Sequence, residues 1–97
     1  MNYTEIKGSA PVVLVEFYAS WCPHCQKMMP VVEQVKELLE GQVPVYQFDI
    51  DKERELAEKE GVESIPTFLV YKDKKLVWEY TGEIDGNHLL AQVQSFI

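Results

Sequence analysis

Trp21-Cys22-Pro23-His24-Cys25 holds the only two cysteines of the chain, with two residues between them. A pair spaced in this way can open and close as a disulfide if its setting makes one sulfur reactive. The flanking sequence predicts such a setting. Residues 12–18 (Val-Val-Leu-Val-Glu-Phe-Tyr) read as a buried strand and residues 26–40 as an amphipathic helix, so the pair falls at a strand-to-helix junction. A helix N-terminus presents unpaired backbone N–H groups and a partial positive charge. A thiolate is an anion, and the junction therefore favours Cys22 as an exposed nucleophile.

Two other readings of the pair are open. A structural zinc site usually needs four Cys or His ligands. Here His24 lies inside the pair and His88 is 63 residues beyond Cys25, so one chain lacks a ligand and only a zinc ion shared by two chains would serve. Two inert, buried thiols are the blander alternative. Pro23 and His24 between them favour an exposed turn, and with it redox chemistry.

Working outward, the strand at 12–18 is apolar on both faces except for Glu16. Alternation puts Val13, Val15 and Phe17 on one face and Val12, Leu14, Glu16 and Tyr18 on the other. A carboxyl among such neighbours loses hydration, which raises its pKa. In the helix, Met28, Val32, Val35 and Leu39 recur at helical spacing, with Val31 and Leu38 widening the stripe, Pro30 inside it and Gly41 as a stop. Residues 43–50 predict a second strand, and Asp51 is placed to cap a charged helix over 52–60 with Leu56 and Ala57 inward. Strands follow at 67–72 and 76–81 around a turn at Asp73-Lys74-Lys75. A last helix spans 86–97, capped by Asp85, with Leu89, Leu90, Val93, Phe96 and Ile97 inward.

Phe17-Tyr18-Ala19-x-Trp21-Cys22-x-x-Cys25, with Pro30 five residues on and Ile65-Pro66-Thr67 after a further helix and strand, resembles the thioredoxin superfamily over nearly the whole chain. The resemblance implies an α/β thioredoxin fold: a central mixed β-sheet with helices on both faces. Only about ten residues precede the first strand, so the family's N-terminal strand and helix are expected to be shortened. Tyr3–Ile6 has room for one short strand or one helical turn but not both at full length, and the first helix is expected to be clipped or absent, with some apolar cover lost from one sheet face. The resemblance also makes Pro66 a cis-proline. Its loop would expose the backbone of Ile65 beside the cysteines, where an extended substrate can add as a strand. By the same resemblance Cys22 and Cys25 form the redox disulfide, Glu16 takes the proton of Cys25, and Trp21, Pro23, Ile65, Pro66 and Gly82 make the docking face. Gly82 would be the position where a side chain obstructs the substrate. Glu16 replaces the usual aspartate, as in protein disulfide isomerase domains. Gln47 stands where thioredoxins carry a lysine. Pro23-His24 is the dipeptide of the oxidising DsbA type. His24 could tune the pair by donating a hydrogen bond to the Cys22 thiolate or by standing near it as a cation, or it could be a plain loop histidine.

The bulk numbers narrow the function. Ninety-seven residues predict a single domain, 1–97, and 46% apolar residues fit a globular chain. No run approaches the roughly eighteen apolar residues of a membrane span. A net charge of −7 argues against nucleic acid as a partner. The expected protein is a monomeric reductase of protein disulfides. It needs no cofactor or metal, because the dithiol carries two electrons, and it is served by a thioredoxin reductase or another thiol–disulfide exchange partner. Residues 1–7 do not read as a secretion signal, which points to the cytoplasm. An extracytoplasmic oxidase or isomerase whose leader was removed, and a non-enzymatic binding module on the same fold, are the alternatives.

Overall fold

The computed structural model describes the whole chain, Met1–Ile97. Its elements are α1 (Tyr3–Lys7), β1 (Val12–Tyr18), α2 (Pro23–Leu39), β2 (Val45–Asp49), α3 (Arg54–Lys59), β3 (Thr67–Lys72), β4 (Lys75–Thr81) and α4 (Gly86–Gln94). The strands form one mixed sheet in the order β2-β1-β3-β4. β1 runs parallel to β2 and antiparallel to β3, which pairs antiparallel with β4. The apolar run at 12–17 explains the inner position of β1: each of those residues is buried, because helices cover both faces of the sheet.

Alternation along the strands then separates two cores. Val12, Leu14, Phe68 and Val70 pack under α2 and α4 against Met28, Val32, Val35, Leu39, Leu89 and Val93. Val13, Val15, Phe17, Leu69 and Tyr71 face the other way, toward Ile6 of α1 and Ala57 of α3. No helix is long and apolar enough to cross a membrane.

At the N-terminus the helix is clipped, as expected, to the five residues of α1. The shortened strand is corrected: no strand precedes β1, because the residues before Val12 are taken up by the helix and its link to β1. Asn2 caps α1 by accepting from the Glu5 N–H at 2.8 Å, and Glu5 returns the contact to the Asn2 N–H at 3.2 Å, a capping box. Tyr3 ties the helix down. Its ring packs on Phe17, Phe48 and Tyr71, and its hydroxyl lies 2.7 Å from that of Tyr71. The expected loss of cover falls on β2, which has a neighbour on one side only and no fully buried residue.

Several local expectations are corrected. α2 starts at Pro23 rather than residue 26, because Pro23 takes the first helical position, where its missing N–H costs nothing. Pro30 lies inside the helix, as expected, and leaves the Gln26 carbonyl without its usual donor. Asp51 does not cap the third helix. That helix starts after Glu53 with no side-chain cap, and the Asp51 N–H donates to Asp49 Oδ1 at 2.9 Å. α4 ends at Gln94, leaving Ile97 exposed. Leu38, read as part of the buried stripe, is 59% exposed, whereas Leu39 is fully buried. The hairpin turn uses Asp73 and Lys74, both at positive φ (50° and 71°), the twist that two-residue hairpin loops need.

The two adjacent leucines separate packing from propensity. Leu39→Ala is expected to lose about 2–5 kcal/mol of stability. Leu38→Ala should stay within about 0.5 kcal/mol of the parent. Urea unfolding followed by circular dichroism measures both, and equal losses would contradict this placement of the helix face.

Candidate active site

Cys22 is the N-cap of α2. Its backbone is extended (φ −81°, ψ 119°), and its Sγ accepts the Cys25 N–H at 3.4 Å. The sulfur therefore occupies the place of a capping oxygen, against the otherwise unpaired N–H groups of the first turn. The turn is fixed by its own backbone: the Cys22 N–H reaches the Ala19 carbonyl at 3.2 Å and the Gln26 N–H reaches the Cys22 carbonyl at 2.9 Å. On its other side Cys22 Sγ lies 4.0 Å from the Ile65 carbonyl oxygen. Both cysteines are free thiols. Cys22 is not the exposed residue expected. Ala19, Tyr18, Ile50 and Ile65 pack around the pair, leaving Cys22 5% exposed and Cys25 1%.

Cys25 lies on the inner side of α2. Burial, followed by its contact with Cys22, pushes its thiol well above the ordinary range, and the charge of Glu16 adds to the rise. Glu16 is 3% exposed on inner strand β1, between Gln47 of β2 and Phe68 of β3 in register. The expected burial is therefore present, and desolvation raises its pKa from 4.5 to about 7. Gln47 Nε2 donates to Glu16 Oε1 at 3.0 Å and partly offsets that rise. Without a lysine's charge, Gln47 thus still acts on the carboxyl as a neutral donor.

The Ile65–Pro66 bond is cis, the only cis bond in the chain, and Pro66 is fully buried. Its carbonyl accepts the Gly82 N–H at 2.8 Å, which joins the β4–α4 loop to the proline loop. Gly82 has φ +107°, a conformation that side chains disfavour, and nothing lies within 4 Å of where its Cβ would stand. The space above it is open. Trp21 is 62% exposed on the same rim, with its indole Nε1 donating to Asp51 Oδ2 at 2.8 Å. Pro23 is exposed beside it and Ile65 half-buried.

His24 departs from expectation. Its Nδ1 pairs with Glu83 Oε2 across the rim, and it makes no hydrogen bond to Cys22. The position two residues after Cys22 is as read, but a carboxylate from a different loop claims the ring. Glu83 is not singled out in the sequence, and Asp51 reads there only as a helix cap. The one available signal for Glu83 was its place immediately after Gly82.

The chemistry available is that of a surface rather than a cavity. None of the grooves includes a cysteine, and one of about 590 Å³ lies at the far end of α2, lined by Ser9, Glu37, Glu40 and Val43 among others. No group of three or more His, Cys, Asp or Glu side chains converges in a geometry that could hold a metal. His88 stands exposed on α4, 3.4 Å from the Gln92 amide.

Comparison with known proteins agrees with this geometry. The family model described as Thioredoxin matches residues 2–95. Thioredoxin Y2 of Arabidopsis thaliana, a chloroplast protein, is 37% identical over 90 residues, covering 93% of this chain and 54% of its own length. The chain thus spans about half the length of that relative. A thioredoxin-like protein of Synechocystis is 37% identical over 97 residues, covering 99% of this chain and 92% of its own. Among solved structures, a mutant thioredoxin of Halobacterium salinarum superposes with a TM-score of 0.86 at 33% identity, covering 96% of this chain and 80% of its own. With the family pattern matched over residues 2–95 and the cysteine pair, buried carboxyl and cis-proline all carried by the two inner strands β1 and β3 and the segments joined to them, this chain belongs to the thioredoxin family.

Proposed function

We propose that residues 1–97 act as a single domain and a monomer that reduces protein disulfides through a dithiol–disulfide cycle of Cys22 and Cys25. The observation that carries this reading is the placement of Cys22 Sγ at the N-cap of α2, 4.0 Å from the Ile65 carbonyl on an open rim. The rim of Trp21, Pro23, Ile65 and Gly82 offers an extended polypeptide a backbone acceptor next to the nucleophile. All the groups involved come from one chain.

The cycle balances as follows. The Cys22 thiolate attacks one sulfur of the substrate disulfide. A mixed disulfide forms, and the other substrate sulfur leaves with the electron pair of the broken bond and takes up a proton. Cys25 then gives its proton to Glu16 and attacks Cys22 Sγ. The Cys22–Cys25 disulfide forms, and the remaining substrate sulfur leaves as a thiol. Two electrons pass to the substrate without a bound cofactor. A thioredoxin reductase or another dithiol partner returns them. A pKa near 7 suits Glu16 to accept a proton and lose it again at neutral pH. An electron donor of this kind needs a reducing compartment, which supports a cytoplasmic setting. A second reading, an extracytoplasmic oxidase or isomerase, is favoured by Pro23-His24 alone. Equilibration with glutathione separates the two: an electron donor stays oxidised until the buffer is strongly reducing, and an oxidant is already reduced in a mild one.

Two tests address the residues. In the reduction of insulin disulfides by dithiothreitol, Cys22→Ser should fall to the uncatalysed rate. Cys25→Ser should instead accumulate a mixed disulfide with the substrate, visible by mass on a non-reducing gel. Its absence would remove Cys25 from the resolving role.

Glu16→Gln should slow resolution of the mixed disulfide by about 10²-fold. It should also abolish the loss of rate that the parent shows as pH falls through about 7. Stability moves in the opposite sense. The folded chain holds the Glu16 proton more tightly than the unfolded chain, so the parent loses stability as pH rises from about 4.5 through about 7. The variant escapes that loss and is expected to be more stable than the parent at pH 8 by about 2–4 kcal/mol. Denaturant unfolding at pH 4 and pH 8 measures the difference. Parallel profiles for the two proteins would rule out a buried, titrating Glu16.

A further inference from the structure

The β4–α4 loop meets the first turn of α2 through a contact that disulfide exchange does not itself require. Glu83 Oε2 pairs with His24 Nδ1, and Lys27 Nζ stands 4.0 Å from the same oxygen. The loop is anchored on both sides of Glu83's side chain. The Gly82 N–H donates to the Pro66 carbonyl at 2.8 Å, and the Tyr80 hydroxyl donates to the Glu83 carbonyl at 3.1 Å. Glu83 therefore has a fixed base from which to hold a ring on the opposite element. An ionised carboxylate only accepts hydrogen bonds, so Nδ1 is the donor and carries the shared proton.

His24 follows Cys22 by two residues at the start of α2. A histidine there that donated to the Cys22 sulfur would stabilise the thiolate and with it the reduced form, making the pair a stronger oxidant. In this structure the Nδ1 proton goes to Glu83 instead, and the hydrogen bond that Cys22 Sγ accepts comes from the Cys25 N–H. Resting on the dithiol cycle proposed above, we infer that Glu83 is a positioning residue that withholds His24 from the Cys22 thiolate and so keeps the Cys22–Cys25 pair more reducing than its Pro-His dipeptide would otherwise make it. The hydrogen bond from His24, then desolvation in the opposite sense, then the Lys27 charge act on the Glu83 carboxyl, and the net effect lowers its pKa. The acceptor thus stays ionised across the neutral range. Glu83 sits in a solvated loop with its side chain 39% exposed, and its replacement leaves both cores untouched.

The readout is the exchange in which the protein dithiol and one glutathione disulfide give the protein disulfide and two glutathione thiols. Its equilibrium constant falls when the reduced protein is stabilised. The whole chain is equilibrated in glutathione buffers at pH 7, quenched by thiol alkylation and read by mass, for the parent, Glu83→Ala, His24→Ala and the double variant. Glu83→Ala is expected to lower the constant by about threefold or more, because Nδ1 becomes free for Cys22. In the His24→Ala background the same change should do nothing beyond about 1.5-fold. An unchanged or raised constant in Glu83→Ala overturns the assignment. So does an equal fall in both backgrounds, since Glu83 would then act by its own charge and not through His24. A parent whose cysteines never reach a reversible equilibrium with glutathione would overturn the dithiol cycle itself, and this role with it.

Discussion

The site depends on one substitution of atoms: a sulfur stands where a helix cap ordinarily places an oxygen. Cys22 can occupy that place because Pro23 starts α2 immediately after it and the preceding turn closes from Cys22 to Ala19. The first N–H groups of a helix need an acceptor, and an anionic sulfur satisfies them better than a neutral one. The contact that caps the helix is therefore also the one that holds the sulfur proposed as the nucleophile. The seventeen residues of α2 that follow, pressed onto β1, β3 and α4 by Met28, Val32, Val35 and Leu39, hold that cap against the rim.

Beneath the cap the sheet accepts a cost. A strand with both faces covered is the most expensive place in the fold for a carboxyl, and Glu16 sits there with one neutral donor, Gln47, beside it. The same burial that penalises its charge brings its proton affinity close to neutrality. A structural acid placed for stability alone would be paired with a cation. The absence of such a pair at Glu16 is understandable if the group has to exchange protons.

The chemistry-bearing centre was largely legible in the sequence, and the reason is local. The buried strand shows as an apolar run with a single glutamate, and the cysteine pair sits at the change from two-residue to helical periodicity. Strand 67–72 matched to the residue, and the resemblance carried the cis state of Pro66. What escaped were contacts between segments distant in sequence. His24 and Glu83 are 59 residues apart and Trp21 and Asp51 are 30 apart, and neither pair leaves a periodic trace. Asp51 looked like a helix cap because its type and position allow it. The indole of Trp21 took that carboxylate, and the helix started without a cap. Leu38 failed for a different reason. Beside Leu39 it widens the apolar stripe on paper, but adjacent helical positions are about 100° apart and only one of them faces the sheet.

In the proposed cycle, depth orders the reaction. Trp21 and Pro23 stand at the rim, Cys22 just below it at 5% exposure, and Cys25 and Glu16 are sealed beneath. On that proposal Cys22 is the sulfur placed to meet one held on another protein, and Cys25, whose thiol is held protonated by its surroundings, acts once a mixed disulfide above it offers a target and Glu16 is free to receive the proton. The dipeptide between the cysteines belongs to the outer layer, where side chains answer to whichever loop faces them. For His24 that loop carries Glu83. On the inference drawn for Glu83, what Pro-His contributes to the potential is a property of the assembled rim, set by an anchored carboxylate of the β4–α4 loop as much as by the two residues themselves.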